Sequence, residues 1–362
     1  MKAFVNLKAL LSNLERVKNL AKGFQTVCMI KANAYGHGAI KIAQTLEANG
    51  VNLFGVATIN SAEALRQAGI KSRILLMAGA GLALPEQANR AINANLTPLV
   101  SSLKEFEALC QLNKSIKIHI DIDTGLSRGG FLLSQIEKLI TAWKSREHSL
   151  ELEGICTHFS DPTNPDAQAT QDQISSFLKA VGQFAEADLK PKVIHTTNSK
   201  ALVNHLLPTL PGIETWIRPG IALYGALSGF EPIMSLKAPI TLLKEIPAGT
   251  GVGYFQTWIA SRDTKLAIIR AGYGDGYPGI LSNKAHVLAH GKKTPIVGRI
   301  SMDLTMLDVT DIECQVGDWV TLLGREGSEE IRAEDLAKLM QATPNELLTG
   351  ITSQVERVYV DK

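Results

Sequence analysis

The chain has little that would tie it to the outside of a cell or to a polyanion. Only four of its 362 residues are cysteine. Cys28, Cys110, Cys156 and Cys314 are too far apart in sequence to form a metal-type or redox pair. This argues against a disulfide scaffold and fits a reducing compartment. No run of about eighteen apolar residues occurs, so no membrane-spanning helix is expected. The start, MKAFVNLKALLSNLERVKNL, lacks the apolar centre and small-residue cleavage site of a signal peptide. A cytoplasmic location is therefore expected, with this segment read as an amphipathic helix turning Leu10, Leu11, Leu14 and Val17 inward. The net charge is only +2, so neither nucleic acid nor an anionic membrane is an evident partner.

What the chain does have is apolar residues, 45% of the total, enough for a sizeable core. From residue 26 to 225, short apolar runs alternate with helical patterns. The runs lie near 26–32, 53–58, 73–78, 96–101, 116–123, 151–158, 192–197 and 215–219. Helical patterns fall at 39–48, 61–68, 85–94, 103–111, 134–143 and 171–187. Eight such units predict a closed (β/α)8 TIM barrel, with a doubly wound open sheet as the alternative. In KIHIDID, Ile118, Ile120 and Ile122 share one face, and His119, Asp121 and Asp123 share the other. A parallel barrel strand has no solvent face, so the polar face must point inward, where His119 and Asp121 need partners.

After about Phe230 the helical period gives way to short β-rich runs at 240–246, 265–270, 286–289, 305–309 and 319–323, with one helix near 333–340. The predicted domains are a barrel over 1–230 and a mostly-β domain over 231–362. Gly274, Gly276 and Gly279 match a dinucleotide-type GxGxxG, but the motif does not join a strand to a helix and it contains Pro278. It is read as a turn.

Barrel enzymes carry their chemistry at the carboxyl ends of the strands. Lys31 ends the first predicted strand, Arg128 follows the fifth, and His158 ends the sixth. Asn198 and Ser199 end the seventh, and Arg218 ends the eighth. A lysine at a buried strand end either snorkels to the mouth or is used, for instance as a Schiff base to an aldehyde cofactor. Ser199 at a helix start and Gly220 beside it suit a phosphate dianion. A Schiff-base lysine and a phosphate cradle are the two handles of pyridoxal 5'-phosphate.

Eight motifs occur in order: KANAYGHG at 31–38, DTGLSRGG at 123–130, THFS at 157–160 and TNSKA at 197–201, then RPGIALYG at 218–225, GVGY at 251–254, AGYGDGYP at 271–278 and GRISMD at 298–303. On these, the sequence resembles the alanine racemase family over nearly its whole length. The resemblance implies a pyridoxal phosphate-dependent isomerase that interconverts L- and D-alanine with two bases and supplies D-alanine for peptidoglycan. It implies a head-to-tail homodimer with shared active sites and no metal. It makes Lys31 the cofactor lysine and Tyr254, donated by the second subunit, the other base. Tyr35, Asn198, Ser199, Gly220, Ile221 and Asn345 would surround the phosphate. Arg218 would meet the pyridine nitrogen, with His158 between it and Tyr254. Arg128, Met302 and the second subunit's Tyr273 would hold the substrate carboxylate, supported by Asp121 and Asp303, and Arg299 would line the access channel.

Two positions depart from the family pattern. Asp121 stands where the family often has a lysine that becomes carboxylated, and is expected to orient Arg128 directly. Asn345 stands where a tyrosine usually reaches the phosphate. The competing readings are a serine or broad-range racemase and a barrel-fold decarboxylase. Arg218 opposes the decarboxylase, which would place an acidic group at the ring nitrogen.

Overall fold

The computed structural model describes residues 1–361 apart from Ala78 and Arg146. The chain forms two compact units. One takes Leu14–Ala34 and Ala39–Leu223; the other takes Met1–Asn13, Tyr35–Gly38 and Tyr224–Lys362.

The first unit is a (β/α)8 barrel. Its first strand, Gln25–Thr26 continuing at Cys28–Met29, pairs on one side with Leu53–Val56. The parallel sheet runs on through Arg73–Leu76, Leu96–Val100, Ile116–Asp123, Leu150–Cys156, Val193–Asn198 and Glu214–Arg218. That last strand returns to Gln25–Thr26. Backbone bonds from Val27 to Ile217 (2.8 Å) and from Met29 to Pro219 (3.0 Å) close the ring. The predicted strand end at residue 78 lies outside the described residues.

Local chemistry sets where the barrel helices start. The Thr58 hydroxyl accepts from Ser61 N at 3.2 Å and opens Ile59–Gln67. Ser102 accepts from Glu105 N at 3.3 Å and opens Leu103–Gln111. Each bond satisfies a backbone donor the helix leaves free. Ile118, Ile120 and Ile122 pack against Phe106, Leu109, Ile136, Phe177 and Phe184 from the helical layer. His119, the alternate residue of the same strand, is 0% exposed and faces the barrel interior side chains His195 and Glu153. The period-two pattern of KIHIDID thus sorts apolar side chains to the helices and polar ones to the barrel centre.

The second unit is mostly antiparallel sheet, ordered Lys292–Pro295, His286–Ala289, Trp319–Glu326, Met234–Ile246, Lys2–Asn6 and Glu356–Val360. Thr264–Ile269 and Thr305–Asp308 extend it from Met234–Ile246. The start of the chain is not wholly helical: Lys2–Asn6 is a strand, and only Leu7–Leu20 is helix. Ala3 and Val5 alternate inward in that strand and pair with Leu236 and Met234. Period two over five residues is too short to stand out beside fourteen residues of helical period. The GxGxxG segment forms two 3-10 turns, Tyr273–Asp275 and Gly279–Leu281. Among the described residues, no helix is long and apolar enough to cross a membrane, and no cluster of metal-ligating side chains occurs.

Candidate active site

Lys31 is the first residue of a left-handed turn. Ala32, Asn33, Ala34 and Tyr35 all have φ between 50° and 55°. For L-residues with a Cβ, that conformation costs about 1–2 kcal/mol each, and it persists only where neighbouring contacts fix it. On the barrel side, Ala34 N donates to Ile30 O at 3.0 Å, and the Asn33 side chain accepts from Ala39 N at 2.8 Å, opening Ala39–Ala48. On the β-unit side, Tyr35 stacks on Tyr224 at 4.8 Å, and Arg357 donates to Gly36 O at 3.1 Å. Gly36, at φ 86°, leaves no room for a side chain, since a Cβ there would lie 2.0 Å from Leu348 O. The Lys31 amine is held below the ordinary lysine range by burial, then by the charges of Arg128 and Arg218. Partial burial and two cations within electrostatic reach favour the neutral, nucleophilic form of the amine.

Arg218 ends the eighth barrel strand and is 4% exposed. Its guanidinium donates to His195 O, to Thr157 O at 2.8 Å and to Thr196 O at 3.4 Å, and meets His195 Nδ1 at 2.7 Å. It also approaches His158 Nδ1 at 3.3 Å, while the Asn198 amide lies 3.3 Å from His158 Nε2. Burial, then Arg218, Arg128 and Lys31, push His158 down to about 3, so this imidazole is neutral near pH 7.

Asn198 caps the helix Ser199–Val203 by accepting from Lys200 N and Ala201 N, both at 3.0 Å. The Ser199 hydroxyl accepts from Gly220 N at 2.8 Å and Ala222 N at 3.2 Å. Two backbone donors and a hydroxyl therefore converge beyond the seventh and eighth strands, with Ile221 in the same loop. Burial pushes the Tyr35 hydroxyl up to about 12 and keeps it a donor.

Asp121 requires a correction. No hydrogen bond or ion pair joins it to Arg128 among the described residues. Its carboxylate instead meets Cys156 Sγ at 3.5 Å and Ser101 Oγ at 3.4 Å. Its pKa is raised by burial, a shift that those contacts and the charges of Arg218 and Arg128 partly oppose. The coupling between Asp121 and Arg128 is therefore one of charge through space.

The remaining residues lie on the β unit. Tyr254 follows Gly253 (φ 73°) and is 67% exposed, and Arg299 lies over the neighbouring Phe255 ring at 5.3 Å. Tyr273 N donates to Ser301 O at 3.0 Å and Gly274 N to Met302 O at 2.8 Å, so AGYGDGYP packs on GRISMD. Asp303 is tied to Arg270 at 3.3 Å. Asn345 lies in the first turn of Pro344–Gly350, and its buried Oδ1 has no hydrogen-bond partner among the described residues.

Sequence reasoning did not single out His195, Glu153 or Arg73, which surround His119 and Arg218. A signal was present: polar residues at inward positions of neighbouring parallel strands must meet one another.

Comparisons with known proteins agree along the chain. The family model for the alanine racemase N-terminal domain matches residues 5–228, and that for the alanine racemase C-terminal domain matches 233–359. An alanine racemase of Methylacidiphilum infernorum is 38% identical over 94% of this chain and 88% of its own length. One from Carboxydothermus hydrogenoformans is 36% identical over 99% of both. The crystal structure of biosynthetic alanine racemase from Pseudomonas aeruginosa superposes with a TM-score of 0.86 at 29% identity, covering 99% of each chain. That of Streptomyces coelicolor alanine racemase gives 0.89 at 30% identity, covering 100% of this chain and 98% of its own. The chain belongs to the alanine racemase family.

Proposed function

We propose that this protein interconverts L- and D-alanine with pyridoxal 5'-phosphate held at the barrel mouth, and that it works as a homodimer in the cytoplasm, supplying D-alanine for peptidoglycan. The observation that carries this reading is the half-buried Lys31 directly after the first barrel strand, its amine held below the ordinary lysine range by burial, then by Arg128 and Arg218. The donor set fits the cofactor. The Ser199 hydroxyl with Gly220 N and Ala222 N suits its phosphate, with Tyr35, Asn198 and Ile221 around it. Lys31 suits its aldehyde and Arg218 its ring nitrogen. Asn345 offers an amide where a longer hydroxyl is usual. The free cysteines agree with a reducing compartment.

When bound, the cofactor supplies an electron-withdrawing ring that acidifies the substrate Cα–H. Everything else falls to the protein. Inversion needs a proton removed on one face and another delivered on the opposite face. Lys31 serves one face, and Tyr254 from a second copy of the chain serves the other. A tyrosine exposed on its own unit, next to exposed Phe255, suits a group that completes a neighbour's site. Arg128, with Met302 and Tyr273 of the second copy, orients the substrate carboxylate. Arg299 lines the access channel, and Asp303 steadies this side through Arg270. Arginine keeps its proton, so Arg218 offers the ring nitrogen a hydrogen bond without protonating it. That limits electron withdrawal to what rapid reprotonation needs and disfavours decarboxylation.

The direct test is chiral chromatography after the holoenzyme is incubated with L-alanine. The expected product is an equal mixture of enantiomers. Absence of D-alanine would overturn the reading, and faster turnover of serine would move it to a broad-range racemase.

Asp121→Asn keeps the shape at that position and removes the charge. KM for alanine is expected to rise about two- to fivefold with kcat nearly constant, because the lost term is a through-space one on Arg128. Kinetics indistinguishable from the parent would remove Asp121 from substrate binding.

A further inference from the structure

A continuous row of hydrogen bonds crosses the barrel interior without touching the residues assigned to substrate. It starts at Arg73, the first residue of the third strand, whose guanidinium grips both oxygens of Glu153. Lys117 adds a second cation, 3.5 Å from the same carboxylate. Glu153 Oε2 meets His119 Nε2 at 2.9 Å. His119 Nδ1 meets His195 Nε2 at 2.7 Å, and His195 Nδ1 meets Arg218 Nη1 at 2.7 Å. His119 and His195 are both 0% exposed, and Glu153 is 6% exposed. Trp216 walls the row, 5.3 Å from the His119 ring and 5.4 Å from the Arg73 guanidinium.

The chemistry of the two ends fixes every proton between them. A guanidinium only donates, so His195 Nδ1 must hold a lone pair. His195 Nε2 then carries the proton and donates to His119 Nδ1. His119 in turn carries its proton on Nε2 and donates to the Glu153 carboxylate, which only accepts. Protonating either histidine would set two donors against each other. Burial, first of all, also holds both imidazoles below the ordinary histidine range, with a partial offset from Glu153 at His119. Burial alone would raise Glu153, but the bonds from His119 and Arg73 outweigh it and hold it below the carboxylate range.

We propose that Glu153, His119 and His195 are positioning residues, forming a one-directional relay that holds the Arg218 guanidinium in one orientation toward the cofactor's ring nitrogen. The proposal rests on the reading of Arg218 given above. Packing alone does not account for the row, since apolar side chains of similar volume would fill a barrel centre at lower cost than buried ions and imidazoles. The carbonyls of Thr157, His195 and Thr196 also accept from Arg218. Glu153 fixes the proton order that leaves the His195 Nδ1 lone pair facing Arg218, and Asp121 is a carboxylate within electrostatic reach of the guanidinium. Gly154 makes room for the relay, because a Cβ there would lie 2.3 Å from His119 Nδ1.

The test uses the full-length protein with 15N-labelled histidine, with and without bound cofactor. The two rings are assigned through their coupling across the shared hydrogen bond. Both are expected as pure Nε2–H tautomers that do not titrate between about pH 6 and 9. In Glu153→Gln the amide can donate or accept, so the fixed proton order is lost. Both resonances should shift, and kcat should fall about tenfold at unchanged KM for alanine. An Nδ1–H tautomer, titration in that range, or a Glu153→Gln enzyme with unmoved His195 signals and parental kcat would overturn the proposal. The tautomers of the unsubstituted protein decide even if the variant does not fold. They are read without turnover, so failure of the relay is distinct from failure of the racemase reading, which would show as no cofactor binding or no D-alanine.

Discussion

Lys31→Ala lowers kcat for alanine racemisation by about 1,000-fold or more. On the proposed reading, the substitution removes two things at once: the amine that attaches the cofactor and the base on one face of the substrate. Arg128 and Arg218, whose charges act on Lys31, cannot replace it, because they are cations that hold their protons. Global stability should change little. The left-handed turn after Lys31 is fixed by Asn33, Arg357 and the lack of space at Gly36, none of which depends on the lysine side chain. Borohydride treatment of the parent holoenzyme should fix the cofactor's mass on the peptide carrying Lys31, and the variant should release its cofactor on unfolding. Activity in Lys31→Ala within tenfold of the parent would contradict the assignment.

Tyr254→Phe produces the second large effect, and its form matters more than its size. Overall racemisation should fall about 100-fold or more, the range for removing a positioned proton donor or acceptor. In deuterium oxide the parent should label both enantiomers. The variant should keep Cα–H exchange for the enantiomer whose proton faces Lys31 and lose it for the other. A single hydroxyl is removed from a residue that is 67% exposed on its own unit, so the fold has no reason to change. Equal loss of exchange in both enantiomers would point to one base serving both faces.

Much of this was legible in the residues, because barrel physics leaves few choices. The alternation of apolar runs and helical patterns locates eight strands. The polar face of KIHIDID announces that His119 and Asp121 are turned inward. Lys31, Ser199 and Arg218 stand where strands end, which is where a barrel opens. The partners were harder to read. Asp121 was expected on Arg128 but meets Cys156 and Ser101, since which inward side chains meet depends on strand stagger that periodicity does not carry. For the same reason Glu153 and His195, each unremarkable in its own strand, became visible only when the ring closed around His119. Lys2–Asn6 was hidden differently. Its register comes from Met234–Ile246, more than two hundred residues later, and a strand held by so distant a pairing leaves little local signal. The left-handed turn at 32–35 has no glycine or proline to announce it before Gly36, so its backbone conformation is a product of its surroundings.

The central claim is that each site joins Lys31 of one subunit to Tyr254 of the other. It is tested most directly by mixing two inactive proteins, Lys31→Ala and Tyr254→Phe, under conditions that let subunits exchange. Random exchange makes about half of the dimers hybrid, and each hybrid has one intact site of two, so about a quarter of parental activity should return. If every site were built within a single chain, each hybrid would carry two damaged sites. No recovery, with hybrid dimers demonstrated by differential tagging, would contradict the account.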